Sequence, residues 1–293
     1  MKIFMSHAAE DAPLATYLIE AVGGDLGLTF FVMPRDAPPG LPWIDQIKLG
    51  LEQCDVLWSL ITQNSARRPW ISAEWACFWY QSKRTVPLLA GVGFETLWEP
   101  MKAYQSVKLD DVSSVTGYFR SVADDTGVQP SAGVIPLARQ VVREVPDIQR
   151  RQAVADLEKV FDRLARHIQS GSTNIRSEDV EALIRGNRLD EVMQVAMSEV
   201  AAPVKQRQVA QALLKCGRTG EAGALAEEIP NLAEARTLAV NIVQKIPRGA
   251  GLASEEWQVL ERLYERLGPP QRRDVLSAME KRGVAPLGHW AEL

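Results

Sequence analysis

The sequence predicts an α/β domain with a flavodoxin-like parallel sheet, followed by an all-α helical domain. In the first half, short apolar segments alternate with amphipathic ones, and the apolar segments are hydrophobic on both faces. From about residue 128 the pattern becomes helical, with breaks at Gly and Pro. We therefore divide the chain into an α/β domain at 1–127, a linker and connecting helix at 128–149, and a helical domain at 150–293.

The chain begins with a short apolar strand, KIFM, at residues 2–5. Apolar residues at helical spacing then predict a helix at 10–22, which a Gly-Gly pair ends. Aromatic and β-branched residues predict a second strand at 29–33. A loop at 34–42, PRDAPPGLP, leads into an amphipathic helix at 43–53.

The third strand, at 56–62, is apolar on both faces, as expected in the middle of a parallel sheet. A turn follows at 64–69, and Pro69 suits the first turn of a helix at 70–82. The remaining elements are a fourth strand, a short fifth strand and a helix, at 85–90, 105–109 and 112–125.

The second half has the pattern of helical hairpins, without the consensus of a common repeat. A helix is predicted at 137–144, and almost everything after Asp147 is helical in pattern. In the segment 254–268, aromatic residues and leucines at helical spacing predict a face that packs in a core. Breaks are predicted at Gly171-Ser172, Gly186-Asn187, Gly217, Pro230, 247–251 and Gly268-Pro269-Pro270.

Composition excludes several classes of protein. A net charge of −4 provides no basic field for direct binding of nucleic acid or of anionic membranes. The three cysteines are too few and too irregularly spaced for a disulfide framework or a metal site. The first apolar run ends at Ser6, too early for a signal peptide, and no run approaches the ~18 residues of a membrane helix. We expect a cytoplasmic protein with no bound metal.

The expected ligand site lies at the carboxyl ends of the strands. In a sheet of flavodoxin-like order, ligands bind where the strand order reverses, which is between strands one and three. The loops that meet there are SHAAED, at 6–11, and TQNSARRPW, at 62–70.

Trp70 and Glu74 are the first candidates for that site. A spacing of four places both side chains on one side of a helix, and the nearby helix N-terminus favours an ionised carboxylate. One interpretation is structural, with the carboxylate stabilising the helix beside an interfacial tryptophan. The other is chemical: without a metal, a carboxylate beside an indole suits cleavage of an N-glycosidic bond to a cationic base. The anion would stabilise oxocarbenium character, and aromatic rings would stack on the base.

Two loops supply further candidates. Ser6 and His7 project into the predicted crevice, although Ser6 would also cap the following helix well. We place His7 among the binding residues rather than as a catalytic base. In the proline-rich loop, Arg35 and Asp36 would gate a site or contact a neighbouring molecule, unless the loop is only a connection that needs turn residues. Trp43 ends that segment.

Three linked motifs resemble the Toll/interleukin-1 receptor (TIR) domain, particularly its bacterial branch. KIFMSHAAEDAPLA resembles the opening strand motif, FVMPRDAPPG the BB loop, and SARRPWISAEWACFW the Trp-x-x-x-Glu segment. The resemblance covers about residues 1–125 and does not extend to residues 150–293. Trp75 departs from the pattern, because a smaller or aliphatic residue is common after the glutamate, and we expect it to pack away from the site.

The resemblance implies a flavodoxin-like fold and, for many bacterial members, hydrolysis of NAD+ to nicotinamide and ADP-ribose or a cyclic variant. NAD+ would be the substrate, and no cofactor is implied. Glu74 matches the catalytic glutamate of the family. The residues assigned to substrate binding are Ser6, His7, Arg35, Asp36, Trp43 and Trp70.

The resemblance also implies self-assembly through TIR–TIR contacts and a role in bacterial anti-phage defence, with the enzyme silent until it is triggered. In two-domain bacterial members the second domain usually senses a trigger or oligomerises. We therefore expect residues 150–293 to hold copies together or to receive an activating partner or ligand. The alternative is a non-catalytic TIR scaffold or effector that acts through TIR–TIR contacts.

Two other classes of protein are excluded. A response-regulator receiver would need clustered aspartates after strand one and a phosphoacceptor aspartate at the end of strand three. This chain has Ser6-His7 and Thr62-Gln63 at those places. A GTPase or kinase would need a phosphate-binding loop, whereas Gly23-Gly24 ends a helix instead of opening one.

Overall fold

The computed structural model describes residues 1–32, 43–170, 174–198, 200–245, 255–286 and 290. The chain forms two compact units, Met1–Ala153 and Val154–Leu293. The first unit contains a parallel sheet surrounded by helices and the second is helical, which confirms the predicted fold class.

The sheet of the first unit has five parallel strands in the order β2-β1-β3-β4-β5. This is the predicted flavodoxin-like order, and it reverses between β1 and β3. All five predicted strands are present, each within one or two residues of its expected ends. They are β1 (Lys2–Ser6), β2 (Thr29–Val32), β3 (Val56–Ile61), β4 (Arg84–Leu89) and β5 (Val107–Lys108).

Helices cover both faces of the sheet, because apolar side chains project from both faces of the central strands. On one face, α1 and α4 pack over residues such as Met5 and Trp58. On the other, α2 and α3 pack over Phe4 and Leu57. A Cβ atom added at Gly50 of α2 would lie 2.5 Å from the Phe31 ring, so α2 approaches the sheet closely. The helices are α1 (Ala12–Val22), α2 (Trp43–Gln53), α3 (Pro69–Tyr80) and α4 (Val112–Thr126).

A long helix, α5 (Val134–Ser170), contains the boundary between the two units. The helix predicted at 137–144 is only its first part, and Pro146 lies inside it. An internal proline costs a helix about 3 kcal/mol. Burial of Val141 and Val145 in the first core offsets this cost on one side of the proline, and burial of Leu164 does so on the other.

The second unit is built from helices around one apolar core. Predicted breaks at Gly186-Asn187, Gly217, Pro230 and Gly268 are present among the described residues. The break between Ala196 and Pro203 was not predicted. The predicted core face of segment 254–268 is confirmed, since Trp257 and Tyr264 are buried with the neighbouring leucines. The helices are α6 (Ser177–Arg185), α7 (Leu189–Ala196), α8 (Pro203–Lys215), α9 (Thr219–Glu228), α10 (Leu232–Lys245), α11 (Glu255–Arg266) and α12 (Pro269–Arg282).

The described part of the chain contains no helix with the length and apolarity needed to span a membrane. It also contains no group of three or more His, Cys, Asp or Glu side chains placed to hold a metal ion. The three cysteines are free thiols.

Candidate active site

Glu74 lies in the second turn of α3, facing the carboxyl end of β1. Pro69 occupies the start of this helix, where its missing N–H removes no hydrogen bond. The Glu74 side chain is nearly buried, with 9% exposure. Its Oε2 accepts a hydrogen bond of 2.5 Å from the Oγ of Ser6, the last residue of β1. Two candidates that are 68 positions apart in the sequence thus meet at the predicted edge of the sheet.

Burial raises the pKa of the Glu74 carboxyl to about 7, and the Ser6 hydrogen bond opposes this rise. The nearby helix N-terminus led us to expect that the ionised form is favoured. Desolvation outweighs that effect, because the influence of a helix end fades within its first turn while desolvation acts on the whole buried group. Among the described residues, no cation contributes to the environment of this carboxyl.

Ser6 does not cap the following helix, which was the structural alternative for this residue. The short 3₁₀ helix Ala9–Asp11 is preceded by Ala8, and no side chain caps it. The Ser6 hydroxyl is committed to Glu74 instead. The tertiary contact is favoured because it satisfies a buried carboxylate, which costs more when unsatisfied than an exposed helix end.

His7 follows Ser6 directly and is half-buried. Its Nδ1 donates a hydrogen bond of 2.7 Å to the carbonyl oxygen of Ala8. This contact orients the ring within its own loop. In the neutral ring Nδ1 then carries the proton, and Nε2 is the nitrogen that can accept a hydrogen bond.

The two tryptophans next to Glu74 have opposite environments. Trp70, one turn before Glu74, is 48% exposed, so its indole lies at the surface beside the buried carboxyl. Trp75 is buried, and its ring contacts Trp98 and Tyr104 edge-on, with centroids 5.6 and 5.3 Å away. The expectation that Trp75 packs away from the site is confirmed, since it belongs to the core under α2 and α3.

A buried network joins the loops after β1 and β3, and sequence reasoning missed it. Asp11 is 3% exposed, and its two carboxylate oxygens accept hydrogen bonds from Thr62 Oγ1 (2.7 Å) and Asn64 Nδ2 (2.9 Å). From the sequence alone, Asp11 is only an acidic residue in the first turn of the helix predicted at 10–22. The signal in the sequence that would have identified Asp11 is a pair of hydrogen-bonding residues, Thr62 and Asn64, just after the third strand. Their loop was already expected to meet the loop that follows strand one.

Further contacts stabilise the same pair of loops. The backbone N–H of Thr62 donates to Ser65 Oγ (2.7 Å), and that hydroxyl donates to the Leu60 carbonyl (2.8 Å). At the surface, Arg68 forms an ion pair with Glu10. The loop between β3 and α3 is therefore attached to the start of α1 at several points. These contacts restrict the position of Glu74 relative to Ser6.

The remaining candidates lie in the proline-rich loop and directly after it. Arg35 and Asp36 lie outside the described residues. Trp43 is the first residue of α2. Their assignment to substrate binding stays a prediction.

The arrangement presents one buried carboxyl that has a hydroxyl partner. Trp70 lies four residues before the carboxyl in the chain, and His7 directly follows the hydroxyl partner Ser6. Because the carboxyl titrates near pH 7, it can gain or lose a proton at neutral pH. Its negative form would stabilise a nearby developing positive charge strongly, since it lies in a poorly solvated position.

Comparison with known proteins identifies the first unit. Residues 3–120 match the family model of the TIR domain, in agreement with the resemblance found from the three motifs. Neither the curated proteins nor the solved structures contain a match to the chain.

Proposed function

Since residues 3–120 form a TIR domain, we propose that this protein is an NAD+ nucleosidase that cleaves the bond between nicotinamide and ribose. The observation that carries the proposal is the buried Glu74, held by Ser6 where the strand order of the sheet reverses. Unlike the buried Asp11, which accepts hydrogen bonds at both oxygens, Glu74 has one hydroxyl partner and a raised pKa. Its burial is therefore more readily explained by chemistry than by stability.

The chemistry follows from the charge of the substrate. Nicotinamide in NAD+ is a pyridinium, so the glycosidic bond breaks with its electron pair moving to nitrogen, and the base leaves neutral. The ribose develops oxocarbenium character, which the Glu74 carboxylate would stabilise. A water oxygen then bonds to the anomeric carbon, and the proton that this water loses can pass to Glu74. A hydroxyl of the same molecule in place of water would give a cyclic product.

Substrate binding would also adjust the charge of Glu74. Burial alone leaves this carboxyl partly protonated at pH 7. A pyridinium close to it lowers its pKa, because an opposite charge favours the ionised form. Trp70 is exposed, and we propose that it stacks on the flat cationic base.

We include self-association in the proposal. Its support is the TIR match together with exposed aromatic side chains. Trp79 and Tyr80 are exposed at the C-terminal end of α3, and Trp98 is exposed in the segment after β4. The same surface favours the alternative function, a TIR scaffold without catalysis, because exposed apolar patches commonly mark protein–protein contacts.

The role that we propose for this activity is bacterial anti-phage defence in the cytoplasm, and its support is the likeness of the motifs to bacterial TIR proteins. Uncontrolled loss of NAD+ kills a cell, so the enzyme should stay silent until a trigger acts on it. Cellular NAD+ should then fall only when cells that express the protein are infected, and it should not fall with Glu74→Gln.

The decisive experiment measures nicotinamide release from NAD+ by the wild type, Glu74→Gln and Glu52→Gln. Glu52 is an exposed carboxylate on α2 and serves as the matched control. Each variant is tested in dilute solution and after forced clustering on a surface. Release by the wild type and Glu52→Gln, lost in Glu74→Gln, supports the nucleosidase. Absence of release under every condition, with a folded protein that self-associates, supports the scaffold.

A further inference from the structure

The helical unit contains a cavity that the proposed chemistry does not use. It lies between α10 and α12 and has a volume of about 520 Å³. Val240 and Ala278 form an apolar part of its wall and pack against the helical core. Volumes of roughly 300–1,000 Å³ are usual for sites that bind small molecules.

Positive charge predominates in the lining of this cavity. Arg236, Lys281 and Arg282 line it, and Asp274 is its one carboxylate among the described residues. Arg236 Nη1 is paired with Asp274 Oδ2 at 2.9 Å, so these two charges largely neutralise each other. Lys281 and Arg282 then give the cavity its excess of positive charge.

Arg282 provides a second, independent observation. Its Nε is buried and has no hydrogen-bond partner among the described residues. The Nε itself is closed to solvent, but without an acceptor it leaves the guanidinium poorly satisfied, and this favours an anionic oxygen where the side chain lines the cavity. Arg272 and Arg266 are engaged by backbone carbonyls, those of Tyr264 and Glu265 and that of Ile229. The Nε of Arg218 is also buried without a partner in the described part of the chain, but Arg218 does not line this cavity and its Nη2 donates to Glu221.

Neutral hydrogen-bonding groups complete the lining. Asn241 and Gln244 offer amide donors and acceptors, and Thr237 and Ser277 offer hydroxyls. The Thr237 hydroxyl already donates to the Ala233 carbonyl, so it faces a ligand as an acceptor. The cavity therefore combines cations with groups that recognise a polar, uncharged moiety.

We infer that this cavity binds a small molecule that carries a phosphate group. Lys281 and Arg282 contact the phosphate, and Asn241 and Gln244 bind the polar remainder of the molecule. The inference does not depend on NAD+ cleavage, and it gives a chemical class to the ligand expected for residues 150–293. A purely structural role for Lys281 and Arg282 would be to stabilise the C-terminal end of α12, where cations are favourable.

Calorimetric titration of the full-length chain distinguishes the two roles, with sodium pyrophosphate and ATP as probes in the absence of divalent cations. The wild type should bind at least one probe saturably. The double variant Lys281→Gln/Arg282→Gln should bind it about tenfold more weakly or worse, because charge-assisted hydrogen bonds are lost. Arg273→Gln removes an exposed cation from another part of α12 and should bind as the wild type does.

A second variant keeps the test valid if loss of both cations weakens α12. Asn241→Leu keeps the side-chain size and removes the amide, and it should weaken binding about fivefold through lost hydrogen bonds. No saturable binding of either probe by the wild type would overturn the inference. Binding that is equal in the wild type, the double variant and Asn241→Leu would also overturn it.

Discussion

Each of the two units contains a buried carboxylate, and the two are treated in opposite ways. In the helical unit, Asp179 receives two hydrogen bonds from Arg163, from Nε at 3.0 Å and Nη2 at 2.6 Å. In the TIR unit, Glu74 receives one hydrogen bond from a neutral hydroxyl, and burial raises its pKa to about 7. Pairing with a cation stabilises Asp179, and hydrogen bonds from Thr62 and Asn64 satisfy both oxygens of the buried Asp11. Within the described part of the chain, Glu74 has neither kind of compensation, so its burial weakens the fold and points to chemistry.

The largest expected effect separates catalysis from stability at Glu74. Glu74→Gln should lower NAD+ turnover about 10³-fold, because it removes the charge that stabilises the transition state. The free energy of unfolding at pH 8 should stay the same or rise, because glutamine needs no proton to be neutral. Nicotinamide release and urea denaturation measure the two quantities. Retained turnover, or a large loss of stability, would place Glu74 with Asp179 as a structural carboxylate.

The pH dependence of stability tests the same contrast without any substrate. The folded state holds the Glu74 proton more tightly than the unfolded chain, with a pKa of about 7 against the ordinary 4.5. Its contribution to stability is therefore complete below about pH 4.5 and is lost as the pH rises through 7. Between pH 5 and pH 8 the wild type should lose about 2–3 kcal/mol relative to Glu74→Gln. Urea titrations of both proteins at several pH values measure this difference, and parallel pH profiles would contradict it.

Asp179→Asn should destabilise the helical unit by about 2 kcal/mol, because Arg163 loses its charged acceptor. Unlike Glu74→Gln, it should leave the chemistry of NAD+ cleavage in the TIR site unchanged. Urea denaturation measures the loss, and Arg163→Gln offers the reciprocal test. If Asp179→Asn left stability unchanged, the pair would have no structural role and the comparison with Glu74 would fail.

Removal of the hydroxyl partner should have a smaller effect on the site. Ser6→Ala should lower turnover at pH 7 about tenfold, in keeping with the loss of one hydrogen bond to a charged group. Because that bond lowers the Glu74 pKa, the rising limb of the pH–rate profile should move to higher pH. Ser106→Ala, a change distant from the site in the chain, is the control, and an unshifted profile would mean that Ser6 does not act through Glu74.

The smallest effect is expected where both charges of a pair are exposed. Arg262 and Glu227 form an ion pair of 3.0 Å, with each side chain about half exposed. Arg262→Gln should change the free energy of unfolding by less than about 1 kcal/mol. A loss as large as that of Asp179→Asn, measured by the same urea titration, would show that burial is not what separates these pairs.

The order of the strands and the meeting of the two loops that form the candidate site followed from the pattern of the sequence. Continuous apolar strands predicted a sheet covered on both faces, and the loops after strands one and three predicted where polar side chains would meet. Ser6 and Glu74 do meet there. These features are local or follow from chain topology, so one sequence is enough to predict them.

Other features depended on contacts between distant residues. The sequence offered Ser6 as a helix cap or as a site residue, and only the packing of α3 against β1 selected the second. Asp11 was taken as an ordinary first-turn acid, because its partners Thr62 and Asn64 lie more than 50 positions away. The helix expected at 137–144 continues through Pro146, because apolar residues on each side of the proline are buried in two separate cores.

The sequence by itself determined a parallel α/β domain with TIR motifs, a helical second half, and a glutamate at the edge of the sheet where a ligand should bind. Tertiary structure alone decided the protonation of that glutamate. A helix position can be inferred from neighbouring residues, but the pKa of a carboxyl depends on how much water the surrounding chain excludes and on which hydroxyl it brings close. Both quantities come from residues distant in the sequence, and they exist only once the chain has folded.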